Sequence, residues 1–172
     1  VLEHTPEIQD MVSEDPVIPK ERTDEVLAFR DVSFRFADAE EDTLSHLNFV
    51  CRRGETTAII GGTGSGKSTI ASLILRFYDV TNGAVCLNGV DIRRVTQYYL
   101  RDHLAYVQQK AWLFSGTIAS NLRYSNQNAS EQEMMHAADV AQAGDFIRSL
   151  PDGLDSFVAQ GGTNFSGGQK QR

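Results

Sequence analysis

Apolar residues alternate with polar ones from Leu27 to Phe36, on one phase at Leu27 and Phe29 and on the other at Val32, Phe34 and Phe36. That pattern predicts a β-strand with a slip or bulge near Asp31. Leu47–Arg52 reads as a second strand. Thr56–Ile60 is short, β-branched and apolar on both faces, as a strand buried inside a sheet would be. A glycine-rich loop follows, and Ile70, Leu73, Ile74 and Phe77 then recur at helical spacing over Lys67–Phe77. Ala84–Leu87, Asn88-Gly89 and Val90–Ile92 predict a hairpin, because Asn-Gly suits a tight turn. Thr96–His103 predicts a short helix and Leu104–Val107 another apolar strand.

After Gln109 the pattern changes. Ser130-x-x-Glu133 is a capping box and opens a helix that runs to about Ala143. Asp145–Leu150 predicts a second helix, stopped by Pro151, and Gly161-Gly162 marks a turn. Ser166-Gly167-Gly168 then starts a polar helix that continues to Arg172. Residues 1–25 are acidic, contain Pro6, Pro16 and Pro19, and show no sustained period, so they read as a linker arriving from something upstream. The expected organisation is this linker, a mixed α/β part over 26–109 and a helical part over 110–172.

Composition narrows the function classes. A chain of 172 residues can bury one core. A net charge of −7 with scattered basic residues argues against a nucleic-acid surface. No apolar run is long enough to span a bilayer, and Val1–Lys20 lacks the form of a signal peptide. The chain is therefore expected to be soluble and cytosolic, with any membrane spanning done by another segment or chain. Cys51 and Cys86 form no metal or redox spacing and read as small, reduced hydrophobes; the four histidines are dispersed and receive no role.

The strongest chemistry lies in Gly61-Gly62-Thr63-Gly64-Ser65-Gly66-Lys67-Ser68, which fits G-x-x-x-x-G-K-[ST]. A polyphosphate needs several donors converging on a curved anion. Glycine lets the backbone turn tightly enough to point its N–H groups inward. The helix that follows adds a partial positive charge of roughly half a unit at its N-terminus. Lys67 can reach the β- and γ-phosphates, and the Ser68 hydroxyl can ligate Mg²⁺. Placement between a buried-type strand and an amphipathic helix separates this loop from an ordinary flexible Gly/Ser linker.

Three further positions stay open on pattern alone. Phe36 can stack on an adenine ring, or it can pack in the core as Phe29 and Phe34 do; spacing favours the core. The amide of Gln109 can bind Mg²⁺ or an attacking water, or belong to an ordinary loop. Ser166-Gly167-Gly168-Gln169 is a second glycine-rich helix start able to meet an anion, within one chain or across two.

Together these segments resemble the nucleotide-binding domain of the ATP-binding cassette (ABC) family, from Leu27 to Arg172. Phe165-Ser166-Gly167-Gly168-Gln169-Lys170-Gln171-Arg172 is similar to the family signature LSGGQ-x-QR. Tyr106-Val107-Gln108-Gln109, Leu113-Phe114-Ser115-Gly116-Thr117-Ile118, Asn121-Leu122 and Leu150–Asp155 look like the exporter branch, of multidrug or lipid type. The resemblance implies a P-loop NTPase fold: a RecA-like core with an antiparallel β subdomain, plus a helical subdomain incomplete at its C-terminus. It implies ATP and Mg²⁺ as cofactors, with Gly61–Thr69 as the phosphate loop, Phe36 as the adenine-stacking aromatic and Gln109 as the glutamine sensing Mg²⁺ and γ-phosphate. Ser166, Gly167, Gly168 and Gln169 would bind the γ-phosphate of ATP held by a second nucleotide-binding domain. The other implied partner is a transmembrane domain, which places the chain at the cytoplasmic face of the cell membrane.

Two departures qualify the match. Gln160-Gly161-Gly162-Thr163-Asn164-Phe165 differs from the usual Glu-x-Gly-x-Asn-Leu and looks like one subunit of a heterodimeric exporter with a catalytically weak site. The chain also stops at Arg172, before the acidic strand, general-base glutamate and switch histidine of the family, so no hydrolysis by this piece alone is expected. Three readings compete: the ATPase motor of an exporter, an ATP-holding module that turns over slowly, and a soluble cassette ATPase. The acidic charge, the Leu113–Ile118 run and the linker count against the third.

Overall fold

The computed structural model describes residues 8–10 and 23–172, so most of the expected linker lies outside the described residues. The chain divides into two compact units, Val1–Ala105 and Tyr106–Arg172.

The first unit is built on four antiparallel strands in the order β2-β1-β3-β4: β1 (Glu25–Phe34), β2 (Leu44–Arg52), β3 (Asn82–Leu87) and β4 (Val90–Asp91). The change of phase in β1 is a real bulge. Phe29 pairs with Phe49, the register then shifts before Val32 pairs with Leu47, and Asp31 sits between them at φ 52°. The Asp31 N–H leaves the ladder and donates to Asn48 Oδ1 at 2.8 Å. On the other side Gly83 of β3 has φ 79°, and a Cβ there would run into the Arg30 and Asp31 carbonyls. Bulge and glycine thus require each other.

The bulge lets both halves of β1 face one core. Phe29, Val32, Phe34, Val85 and Leu87 bury against Ile70 and Leu73 of α1 (Lys67–Ile74) and Leu100 of α2 (Gln97–Asp102). Each such side chain, fully removed from water, contributes about 1.5–3 kcal/mol of transfer free energy. The β3–β4 turn places Asn88 at φ 46° and Gly89 at φ 79°, the two positive angles that a two-residue type I′ hairpin demands. β4 ends at Asp91, and Ile92 opens a short 3₁₀ turn instead of extending the strand. Thr96 caps α2 by accepting the Tyr99 N–H.

Three expectations are corrected in this part. α1 stops at Ile74, short of Phe77, because Arg76 takes φ 52° and turns its guanidinium inward onto Asp79. Thr56–Ile60 and Leu104–Val107 have the composition of buried strands, yet neither belongs to a sheet. Pairing makes a strand, and among the described residues neither segment is paired into a sheet; Ile60 is 94% and Val107 74% exposed.

The second unit is mainly helical. A two-stranded pair, β5 (Gly116–Thr117) with β6 (Phe157–Val158), accompanies α3 (Ile118–Leu122), α4 (Glu131–Val140), α5 (Gly144–Ser149) and α6 (Gly167–Gln171). Ala138, Ala143 and Ile147 form its core with Ile118, Met135, Phe146 and Leu154. The β5–β6 pair and α3 are too short to leave a readable period. α4 ends at Val140, before the expected Ala143, since Gln142 goes to φ 60°. Gly161 and Gly162 both turn at positive φ, 72° and 63°. Of the cysteines, Cys86 is buried and Cys51 half-buried, both free; burial raises the Cys86 thiol above its ordinary pKa.

The capping box at Ser130 is complete: the Ser130 N–H donates to Glu133 Oε2 at 2.8 Å and the Glu133 N–H to Ser130 Oγ at 3.2 Å. The Ser130 backbone N–H first, and its hydroxyl second, hold the Glu133 carboxyl below the ordinary carboxylate range. A carboxyl depressed in the folded state stabilises above its unfolded pKa, and that contribution is lost as pH falls through the folded value. Ser130→Ala should lower the thermal midpoint near neutrality by about 2–4 °C, and the gap to wild type should shrink with acidification. Thermal melts across pH would show it; a gap independent of pH would contradict the cap.

Candidate functional site

The glycine-rich loop joins segment 56–60 to α1, and its residues Gly61–Ser65 are exposed. Thr96, Thr117, Ser130 and Ser166 cap α2, α3, α4 and α6 with their side chains, whereas α1 starts at Gly66 with no side-chain cap. No acidic residue sits in its first turn. The first-turn amides of α1 therefore have no internal side-chain acceptor, the state in which a helix start meets an anion.

Gly66 fixes where the loop rests. It takes φ 83°, which only glycine adopts cheaply, and a Cβ on it would stand 2.7 Å from Leu44 Cδ2 and 3.4 Å from the Thr43 carbonyl. Leu44 opens β2 and pairs with Phe34 of β1, and the Thr43 N–H donates to the Phe34 carbonyl at 2.8 Å. The sheet edge thus seats the loop. The Lys67 ammonium turns back over it, donating to the Gly61 and Gly62 carbonyls at 2.7 and 2.5 Å and lying 3.2 Å from Ser65 Oγ. One cation, the loop carbonyls and an uncapped helix start thus lie together. Ser68 follows with an exposed side chain in the first turn of α1, and Thr69 is half-buried.

Phe36 lies two residues beyond β1, close in the chain to the Phe34–Leu44 pair that seats the loop. Its ring is half-buried and meets Phe34 and Tyr78 edge-on, with centroids 4.8 and 5.3 Å apart. It also lines an open pocket of about 470 Å³ with Arg35, Ala37, Asp38, Tyr78 and Asp79. The ring therefore packs against two aromatic neighbours and also lines a cavity.

Gln109 and the second glycine-rich turn belong to the other unit. Gln109 is exposed in irregular backbone. Its neighbour Gln108 accepts a hydrogen bond from Gln171 Nε2 at 3.0 Å, which ties the Gln109 segment to α6. Ser166 caps α6 by accepting the Gln169 N–H at 3.2 Å, while Gln169 Oε1 accepts the Ser166 N–H at 2.8 Å. That box uses one lone pair of the Ser166 hydroxyl. Its O–H stays able to donate, alongside the first-turn N–H groups of Gly167 and Gly168. Beneath them Lys170 Nζ donates to the Gly161 carbonyl at 3.2 Å, and Trp112 packs on Gly161, where a Cβ would come within 3.3 Å of its ring. Sequence reasoning missed this Trp112–Gly161–Lys170 support, since a lone Trp gives no periodic signal.

Glycine-closed loop, uncapped helix and seating strand define a nucleotide-binding α/β protein of the phosphate-loop class. The profile of the ABC transporter family (ABC_tran) matches residues 44–172, and the chain belongs to that family. An uncharacterised ABC transporter ATP-binding protein of Mycobacterium tuberculosis (strain ATCC 25618 / H37Rv) is 45% identical over 162 residues, which cover 92% of this chain and 28% of that protein. An ATP-dependent lipid A-core flippase of Vibrio cholerae is 43% identical over 153 residues, 88% of this chain and 26% of the flippase. The solved structure of a bacterial Atm1-family ABC exporter with ATP bound superposes with a TM-score of 0.85 at 37% identity, over 95% of this chain and 28% of that one. The fold is that of the ABC ATPase domain, which bears out the expected class. The chain spans about a quarter of the length of the curated relatives it matches.

Gly66→Ala should unseat the loop by forcing Leu44 aside and straining φ. ATP affinity measured by calorimetry should fall by more than about tenfold with the far-ultraviolet spectrum kept. Unchanged affinity would contradict the seating.

Proposed function

We propose that this chain is the ATP-binding part of an exporter, which couples ATP binding and hydrolysis at a head-to-tail pair of such domains to substrate movement across a membrane. The observation that carries it is the Gly61–Ser68 loop seated by Gly66 on Leu44, with the Lys67 ammonium turned over its carbonyls. The names of the relatives, a flippase and an exporter, support the transport reading. On this reading 1–25 is the link to a transmembrane domain, 26–109 the ATP-binding core and 110–172 the helical subdomain. The chain works at the cytoplasmic face of the membrane.

The roles follow from the chemistry. Backbone N–H groups of Gly61–Thr69 hold the phosphates, and Lys67 exchanges its two carbonyl partners for β- and γ-phosphate oxygens. Phe36 offers its ring to adenine. The exposed Ser68 hydroxyl is a neutral ligand of the kind Mg²⁺ takes, and no group of three His, Cys, Asp or Glu capable of holding a metal occurs among the described residues. Mg²⁺ is commonly held by few protein ligands together with substrate phosphates, and when bound it neutralises charge developing on the transferred phosphoryl group. Ser166, Gly167, Gly168 and Gln169 present the hydroxyl and amides left over by the capping box to the γ-phosphate of the partner domain's ATP.

A second reading, a slowly hydrolysing module that pairs with a different, more active domain, is favoured by Gln160–Phe165. Asn164 of that stretch is committed to the turn, accepting from the Ala159 N–H at 2.9 Å and donating to the Phe157 carbonyl at 2.8 Å.

Ser166→Arg fills the signature turn with a bulky cation. In the full-length protein it should leave ATP binding by the single domain intact and abolish ATP-dependent pairing in sedimentation velocity. A variant that still pairs would contradict the role across the dimer.

A further inference from the structure

The base pocket has one wall that comes from far away in the chain. Ile8 lines it together with Phe36 and Tyr78. Ile8 belongs to the short described stretch Ile8–Asp10, which precedes the first strand of the domain.

Arg76 explains why this stretch lies there. Its side chain is 3% exposed, so its charge and its donors must be matched inside the protein. Asp79 supplies part: Arg76 Nε donates to Asp79 Oδ1 at 2.9 Å. The rest comes from the upstream stretch. Arg76 Nη2 donates to the Gln9 carbonyl at 3.2 Å, across 67 positions of sequence, and Nη1 stands 3.8 Å from Asp10 Oδ1. Asp10 is fixed in turn, since the same Oδ1 accepts the Gln97 N–H at the start of α2 at 2.9 Å. Arg76 itself holds φ 52°, a conformation that costs an arginine energy and persists only where its surroundings impose it. Asp79 stands at both ends of the arrangement, as the ion-pair partner of Arg76 and as a lining residue of the pocket.

We infer that Ile8 is a base-contacting residue and Asp10 its positioning residue. The stretch Ile8–Asp10 completes the adenine pocket, anchored there through the buried Arg76–Asp79 pair. This rests on the reading of Phe36 as the adenine-stacking ring. A planar base that enters beside Phe36 and Tyr78 meets an aliphatic surface on the Ile8 side, while Arg35 and Asp38 supply polar contacts. Affinity for the base then depends on whether the upstream stretch is docked, whereas the phosphate loop grips its part of the nucleotide regardless.

Two ligands separate these contributions: ATP with Mg²⁺, and inorganic tripolyphosphate with Mg²⁺, which has no base. In the full-length protein, Ile8→Ser and Asp10→Asn should each weaken ATP binding by about threefold to tenfold in calorimetry and leave tripolyphosphate binding unchanged. Lys67→Ala should weaken both ligands. If Phe36→Ala weakens ATP selectively while both upstream variants bind ATP as wild type does, the wall is overturned and the base site stands. If Phe36→Ala also binds ATP normally, the base site itself is wrong and the inference falls with it. Equal loss of both ligands in Ile8→Ser, a surface change with little reason to unfold the domain, would show a general structural effect and overturn the inference as well.

Discussion

A single close approach governs this molecule: the α-carbon of Gly66 against Leu44 at the mouth of the sheet. It sets where the phosphate loop ends and α1 begins, and so where the uncapped amides and the Lys67 ammonium converge. Leu44 can serve as that seat because it pairs with Phe34, and Phe34 reaches it because β1 takes an extra residue at Asp31. The bulge in turn needs Gly83 on the neighbouring strand. A chain of steric necessities therefore runs from a strand irregularity to the position of a cation, with glycine at each crowded point.

The second unit also has a glycine-rich helix start, built by different means. At α6 the amides are partly satisfied by Ser166 and Gln169, which makes the turn rigid before any ligand arrives. At α1 nothing from the side chains satisfies them. In the proposed function the first start grips a polyphosphate and the second meets one presented by another domain. In the absence of side-chain caps, a bound anion contributes more to the order of α1 than to that of α6.

The local rules were the most legible part of the sequence. Asn88-Gly89 foretold a hairpin with a tight turn, Ser130-x-x-Glu133 a capping box, and the phase change between Phe29 and Val32 a slip or bulge, because each is decided within a few residues. Thr56–Ile60 and Leu104–Val107 were misleading for the opposite reason: their apolar, β-branched composition reports an environment, and strand structure also requires neighbours. The loop Gly61–Ser68 was legible from its spacing, and its seat on Leu44 was not, since Leu44 lies more than twenty positions earlier and no period joins the two. Nothing in the pattern of residues around Arg76 announces its burial. Its burial follows from partners at Gln9, Asp10 and Asp79 that only the fold assembles.

The central claim is that the Lys67 ammonium trades the Gly61 and Gly62 carbonyls for a triphosphate. A crystal structure of the full-length protein with Mg²⁺ and a non-hydrolysable ATP analogue tests it most directly. The expected result is Lys67 Nζ within hydrogen-bonding distance of β- and γ-phosphate oxygens, the backbone N–H groups of the loop around the phosphates and Gly66 still against Leu44. Phosphates bound elsewhere, with Lys67 still on its own loop carbonyls, would contradict the account.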